Sequence, residues 1–296
     1  MKYDYRTLQV LAAVAENHGF EAAGDALGLS QSAVSQRIKT LEEQLGQTLV
    51  VRSSPPTLTP MGERLMAHQR RVKLLEEELE TELNPGSGYQ AITIGVNADS
   101  LATWFLAALT PTAKANRWLL SLKVDNEDLT QKMIAAGQVV GSVTSLAKPL
   151  AGCISEKLGI MRYQLVASPE YVAEHFPQGV TRQALQQAPG AVFNDDDFLL
   201  DIYLKRHFRL CQSDIPCQML PSAHAFMDGA LMGLSFSLVP ETQAAPYIEG
   251  GQLVNLCPDL WIDVPLYWQC WAIQAEAMKA FTRELLHQAR ESLRQS

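Results

Sequence analysis

The sequence predicts an α/β protein made of a small, mostly helical head, one long connecting helix and an α/β body. Three observations predict it. Residues 20 to 45, FEAAGDALGLSQSAVSQRIKTLEEQL, read as two short helices joined by a tight turn; residues 60 to 83 carry apolar side chains at heptad steps; and from residue 91 strand-like and helix-like stretches alternate. A chain of 296 residues is too long for one simple core and suits two or three domains.

The head is built from three helices. Residues 4 to 17 form an amphipathic helix with Leu8, Leu11, Ala12 and Ala15 inward, and the next helix packs through Phe20, Ala23, Ala26 and Leu27. Gly28 ends that helix, where the turn needs a left-handed or unhindered backbone. Ser30 is a good N-cap for the third helix, in which Val34, Ile38, Leu41 and Leu45 follow at steps of four, three and four and make one apolar stripe. The opposite face holds Ser32, Gln36 and Lys39, with Ser35 and Arg37 on the flanks and Gln31 in the exposed first turn. Small or amide-bearing hydrogen-bonding side chains together with cations are what base edges and phosphates require. A helical hairpin with a merely polar outer face has the same spacing, and the next segment separates the two readings. QTLVVRSSPPTLTPMG holds a β-prone piece, a proline-containing tip and a second short strand, the pattern of a two-stranded wing with Arg52 and Thr59 at its ends, placed to hold flanking phosphates.

From Pro60 to about Leu83 a helix carries Met61, Leu65, Val72, Leu75 and Leu79, with His68 in the remaining inward slot. One such helix cannot bury its stripe alone and asks for a partner helix, the alternative being a solvated connecting helix packed on its own body. NPGSGYQ, residues 84 to 90, breaks it and forms a hinge. Beyond the hinge, AITIGV, LLSLKV, QVVGSV and EKLGIMRYQLVAS are strand-like, with SLATWFLAALTPTAKA, EDLTQKMIAAG and PEYVAEHF as helices. GAVFN, FLLDIYLKRHF, CQML, AHAFMDGALMG, FSLVP and ETQAAPYIEGG repeat the alternation, and LYWQCWAI leads into a last amphipathic helix from about Ala275. Alternation of this kind predicts parallel sheets.

The run Ser30-Gln31-Ser32-Ala33-Val34-Ser35, then Ile38, Leu41-Glu42, Leu45-Gly46, Leu49, Arg52, Leu58-Thr59 and Gly62, closely resembles the winged helix-turn-helix of LysR-type transcriptional regulators. The phrases Asp4-Tyr5-Arg6-Thr7-Leu8-Gln9, Gln31 to Lys39 and Val96-Asn97-Ala98-Asp99-Ser100-Leu101-Ala102-Thr103-Trp104 resemble the branch of that family that responds to lysine and arginine. The resemblance runs the whole length and implies the following organisation: a winged helix-turn-helix domain over 1–59, a dimerising linker helix over 60–83, a hinge over 84–90, and over 91–296 an effector domain of two lobes resembling periplasmic binding proteins. Lobe I would take 91–163 and 267–296, lobe II 164–266, with the chain crossing near 161 to 164 and returning near 266 to 269. It also implies double-stranded promoter DNA as partner, a homodimer or tetramer, room for contact with RNA polymerase, no membrane, and a small-molecule effector in place of a cofactor.

Charge and composition agree with a cytoplasmic DNA binder. The net charge of −8 divides unevenly along the chain. Residues 30 to 75 hold Arg37, Lys39, Arg52, Arg64, Arg70, Arg71 and Lys73 against Glu42, Glu43 and Glu63, a local excess of four positive charges, while the acidic remainder weakens non-specific association. The longest apolar run, LATWFLAAL, is half of what a bilayer needs, and Asp4, Arg6, Gln9 and Glu16 interrupt the N-terminus as no signal peptide allows. Cys153, Cys211, Cys217, Cys257 and Cys270 are odd in number and lack a CxxC spacing, so each is expected as a buried reduced thiol with no disulfide framework and no structural zinc, a redox-sensing role for Cys211 and Cys217 being the lesser alternative.

Ligands of open α/β sheets sit beyond the carboxyl ends of strands, at helix N-termini. ITIGVNADSLATW fits: a strand ends at Val96, Asn97 to Asp99 form a loop, and Ser100 opens a helix whose amides at Ser100 and Leu101 are placed to hold an α-carboxylate, with Trp104 one turn on. Asp125, Glu127 and Thr130 follow the second strand, and Thr144 and Ser145 the third. On the second lobe Asn194, Asp195 and Asp197 follow one strand, and Ser222 and His224 another. A cleft rich in carboxylates favours a cationic or zwitterionic ligand such as lysine or arginine, although each acid could equally be a helix cap. Where basic-amino-acid sensors tend to carry an acid, Pro221-Ser222-Ala223-His224-Ala225-Phe226 has His224, a change that weakens such a site or tunes it by pH. Catalytic patterns are lacking: Gly233-Leu234-Ser235-Phe236-Ser237 misses the last glycine of a nucleophile elbow, and the six histidines have no metal spacing. The alternatives to an effector-controlled amino-acid regulator are a nucleoid-type or replication-origin-binding protein and a LysR-type regulator with another effector.

Overall fold

The computed structural model describes residues 4–83, 89–124, 133–195, 197–272 and 276–295, with the side chains of 74, 77, 78, 80–83, 276 and 277 left aside. The head consists of α1 (Tyr5–Glu16), α2 (Phe20–Leu27), α3 (Gln31–Leu45) and a wing of β1 (Val50–Val51) and β2 (Thr57–Leu58), followed by α4 (Pro60–Leu83). Asp4 caps α1 by accepting from the Arg6 amide at 3.1 Å, and Ser30 caps α3 by accepting from Ala33 at 3.2 Å. The core of the head joins Leu8, Leu11, Ala23, Val34, Ile38, Leu41 and Leu49.

Two expectations about this core are corrected. α1 buries Val10, Ala13 and Val14 as well as the expected face, because α4 covers the side that α2 and α3 leave open. Ala26 and Leu27 of α2 lie exposed, and Leu29 from the turn takes the inward place. The turn folds back tightly: the Leu29 amide donates to the Gly24 carbonyl at 2.8 Å, and a Cβ on Gly24 would fall 2.6 Å from the Leu29 oxygen. Gly28 closes α2 at φ 65°, as the sequence requires.

α4 also divides its stripe. Met61 and Leu65 pack into the head, and His68 meets the Tyr5 hydroxyl at 3.3 Å, so these positions do not wait for a partner. Leu75 and Leu79 remain exposed, with Val72 half-buried.

The body carries a mixed sheet in the order β10 (Val254–Asn255), β6 (Cys153–Ala167), β11 (Ile262–Trp271), β5 (Gly141–Thr144), β3 (Gln90–Val96) and β4 (Trp118–Val124), with β9 (Ser237–Pro240) also on β6. β3 runs parallel to β4 and to β5. The wholly parallel expectation fails at β6 and β11, which pair antiparallel from Trp271↔Cys153 to Ile262↔Tyr163. The physical reason is topological: β6 carries the chain into the second lobe and β11 brings it back, so they must run in opposite directions. β9 and β10 add to the far half of β6, while β7 (Gly190–Val192) and β8 (Cys217–Met219) pair in parallel beside them. The register shifts between Leu266 and Tyr267. Nearby, Arg162 grips Asp263 through two hydrogen bonds of 2.7 and 2.8 Å, which hold the Asp263 carboxyl below the usual range.

Helices cover the sheet. On the first lobe lie α5 (Ala98–Ser100), a π-helical turn (Leu101–Phe105), α6 (Leu106–Ala115) and, from the C-terminal end, α12 (Glu276–Ser292). On the second lie α7 (Pro169–His175), α8 (Arg182–Leu185), α9 (Leu199–Phe208), α10 (Ala223–Leu231) and α11 (Glu241–Glu249). Residues 138–140, expected as the start of a strand, precede β5 as a bend. Among the described residues no helix is long and apolar enough to cross a membrane and no cluster of side chains could hold a metal ion. Cys257 and Cys270 are buried, but Cys211 and Cys217 are exposed, against the expectation of burial. Ser235 is buried just after the turn at 232–233.

Candidate functional site

Two sites meet the criteria of the sequence, one on the head and one in the body. On the head, α3 turns Val34, Ile38 and Leu41 into the core, which leaves Gln31, Ser32, Gln36, Arg37 and Lys39 exposed and Ser35 half-buried. Ser32 is held by the Ser30 hydroxyl at 2.9 Å, and Lys39 pairs with Glu43 at 3.7 Å, both ends well exposed. An exposed i,i+4 pair of this kind contributes little and is readily exchanged for a phosphate. Arg52, at the start of the wing, reaches Ser35 of α3 at 3.5 Å, and its guanidinium lies 5.5 Å from the Phe20 ring centroid. Wing and recognition face are thus tied into one surface. Thr59, expected at a phosphate, has its hydroxyl engaged elsewhere: it donates to the Thr48 carbonyl at 2.8 Å and accepts from the Gly62 amide at 3.2 Å, capping α4 ahead of Pro60.

Sequence reasoning missed Glu42. Its Oε1 accepts from the amides of Leu49 and Val50 at 2.7 and 3.1 Å and so fixes the origin of the wing against α3. Glu42→Ala leaves two backbone donors without that acceptor, and a loss of about 1–3 kcal/mol in chemical denaturation is expected. An unchanged denaturation midpoint would show that water replaces the carboxylate at no cost. Gly62 is the second missed element. A Cβ there would collide with the Leu49 carbonyl, so α4 approaches the wing as closely as only glycine permits.

In the body, Asn97 is the N-cap and the helix opens at Ala98, two residues earlier than expected. The Leu101 amide donates to the Asn97 carbonyl at 3.1 Å, so this amide is not available to a carboxylate. The amide of Ser100 is in the first turn, where no intrahelical acceptor exists. Close to it in sequence or sheet register are four buried polar atoms with no hydrogen-bond partner among the described residues: Asn97 Oδ1, Ser100 Oγ, Trp104 Nε1 and Ser142 Oγ. Ser142 belongs here because it pairs with Gly95, two residues before Asn97. Buried polar groups left unmatched cost about 1–3 kcal/mol each, so a concentration of them at one strand end marks a place built for a ligand or ordered water. The π-turn follows at once, a feature that recurs at functional sites.

Asp99 is half-buried, and its Oδ2 accepts from the Tyr163 hydroxyl at 2.7 Å. Tyr163, on the strand that leaves for the second lobe, was not singled out by sequence. Thr144 is fully buried and accepts from the Leu146 amide at 3.2 Å. Gln269, also missed and fully buried, donates to the carbonyls of Leu146 and Lys148 and pins the same loop, Ser145 included. On the second lobe Asn194 is half-buried and Asp195 exposed. Asp197 accepts from Phe193 and Leu199 at 3.0 and 3.1 Å, a local cap, and Ser222 caps α10 by accepting from Ala225 at 3.4 Å. His224 is exposed in the first turn of α10. Asp125, Glu127 and Thr130, like most of the hinge, lie outside the described residues. The second lobe reaches the first through α11, which lies against the π-turn.

Comparison with known proteins gives a consistent result. Residues 5–63 match the family of bacterial regulatory helix-turn-helix proteins of the lysR family, and residues 90–290 match the LysR substrate binding domain. The HTH-type transcriptional regulator ArgP of Pseudomonas aeruginosa is 43% identical over 98% of this chain and 97% of its own length. Among solved structures, ArgP from Mycobacterium tuberculosis covers all of both chains with a TM-score of 0.90 at 37% identity. Full-length LysG from Corynebacterium glutamicum with its effector Arg bound covers 99% of this chain and 100% of its own, with a TM-score of 0.82 at 32% identity.

Proposed function

Because the chain belongs to the LysR family of bacterial helix-turn-helix regulators, and within it to the branch of ArgP and LysG, we propose that it senses a basic amino acid, lysine or arginine, and thereby controls genes of amino-acid transport or metabolism. It is a DNA-binding transcriptional regulator with an effector-binding domain, and no enzyme. The observation that carries the effector reading is the likeness, over 99% of the chain, to a LysG that holds Arg. The buried polar atoms around Ser100 and the oriented Asp99 carboxylate supply an α-carboxylate end and a partner for positive charge. Calorimetry of the full chain tests it: lysine or arginine should give heat and an amine-free carboxylate such as benzoate none. Heat from benzoate alone would overturn the effector and leave the regulator standing.

We place the site of action in the cytoplasm, with a homodimer or tetramer setting two copies of α3 into successive major grooves and meeting RNA polymerase beside the promoter. In this arrangement Ser35 and Gln36 read base edges, Gln31, Ser32 and Arg37 frame them, and Lys39 and Arg52 hold phosphates. Gln36→Ala should cost about 1–3 kcal/mol on a selected operator and almost nothing on random duplex, whereas Lys39→Ala should weaken both and reduce the slope of log affinity against log salt by about one. A salt series of binding isotherms on both duplexes decides, and equal losses for Gln36→Ala on the two would end the base-reading role.

A further inference from the structure

Beyond its packing in the head, α4 meets the body through three neighbouring residues, Ala67, Arg70 and Arg71. A Cβ on Gly137, which sits at φ 64°, would fall 2.9 Å from the Ala67 carbonyl oxygen, so the 136–138 turn of the first lobe lies directly on the helix backbone. Arg70 reaches in two directions, donating to the Ala136 carbonyl at 3.1 Å and to Glu16 of α1 at 3.1 Å. Arg71 turns to another side of the helix, where its guanidinium lies 4.3 Å from the centroid of the Trp271 ring while its Nε donates to the Ala67 carbonyl at 3.2 Å. Trp271 is the last residue of β11 and pairs with Cys153, the first residue of β6. The contact under Arg71 is therefore at the first-lobe end of the β6–β11 ribbon, where β11 also pairs with β5, and the other end of that ribbon lies in the second lobe.

A movement of the second lobe against the first must twist or bend that ribbon. The pair is continuous from one lobe to the other and carries such a motion toward its first-lobe end, which is gripped by a cation on the helix that carries the DNA-binding head. We propose that Arg70 and Arg71 form the junction through which the state of the two lobes and the pose of the winged helix are coupled, Arg71 on Trp271 reading the ribbon and Arg70 joining α1 to the first lobe. This rests on the proposed reading of the protein as an effector-controlled regulator, though not on the identity of the effector.

Coupling free energies are reciprocal, so DNA must alter the lobes as surely as an effector alters DNA binding. Hydrogen exchange of the full chain, with and without a duplex selected by the wild-type protein from random DNA, should show DNA-dependent protection at 152–156 and 268–272. Arg71→Gln and, separately, Trp271→Leu should keep operator affinity within about threefold and lose that change; Arg71→Lys should retain part of it. Thermal melts confirm folding, and two chemically different variants guard against one that fails to fold. A wild-type response at these strand ends in both variants, or no response in the wild type, overturns the junction. A parallel titration with lysine and arginine reports separately: absence of heat removes the effector reading and leaves the exchange result intact.

Discussion

Aspartate at both Val72 and Leu75 is expected to lower affinity for an operator with two half-sites by about 10²- to 10⁴-fold, the range by which linking two binding modules exceeds one. The structure sharpens the reason. Met61 and Leu65 are consumed by the head and His68 by Tyr5, so the stripe open to another chain begins only near Val72. Leu75 and Leu79 are exposed by about half and stand one turn apart on the same face of α4, an apolar pair that a second copy of the helix would cover. Two carboxylates on a two-fold seam would bring four charges together without partners, which no side-chain rearrangement on a straight helix relieves. The substitutions lie a full turn or more beyond Leu65 and should leave the melting of the head unchanged. Sedimentation velocity provides the check: an undiminished mass would reduce α4 to a spacer and end the proposal of dimerisation through it.

The head was legible in the sequence because its signals are local. The step pattern of α3, the Ser30 cap and the glycine after α2 each involve residues within a turn of one another, and all reappear in the structure. The errors in the head came where a distant element decided. Ala26 and Leu27 fit the helical period of α2, yet Leu29 fills the core because the turn returns over Gly24. The burial of Val10, Ala13 and Val14 did have a signal: α1 is apolar on most of its circumference, which requires cover on two sides. Thr59 followed by Pro60 also had one, the usual opening of a helix, and it conflicts with a free hydroxyl at a phosphate. Glu42 had none, since its acceptor role depends on where the wing begins seven residues later.

In the body, alternation located most elements but not their direction. Hydrophobic period says whether a segment is a strand and nothing about its neighbour, so the antiparallel pairing of β6 with β11 was invisible. The candidate ligand end was legible as a strand followed by Asn97, Asp99 and Ser100. Its exact helix start, the π-turn and the grip of Tyr163 on Asp99 were not, because each depends on one residue of register or on a partner more than 60 positions away.

The same register gives the last prediction its form. Ser100→Pro should weaken binding of a carboxylate ligand by about 10- to 150-fold, the cost of one charge-assisted hydrogen bond, whereas Ser100→Ala should weaken it by no more than about tenfold. Proline is admissible by conformation: Ser100 sits at φ −61° in the first helical turn, where its amide has no intrahelical acceptor to lose. What disappears is the donor proposed for the ligand. Asp99 before it is helical, which proline disfavours, so the ligand-free melt must accompany the binding measurement. Alanine removes instead a fully buried hydroxyl that has no partner among the described residues, and it should hold or raise the melting temperature without ligand. Both variants should thus weaken binding, while alanine should not lower the stability of the ligand-free protein. Calorimetry with lysine and arginine on folded protein separates the roles: wild-type affinity in Ser100→Pro would show that the carboxylate is held elsewhere, and a loss in Ser100→Ala equal to that in Ser100→Pro would assign the ligand to the hydroxyl rather than to the helix start.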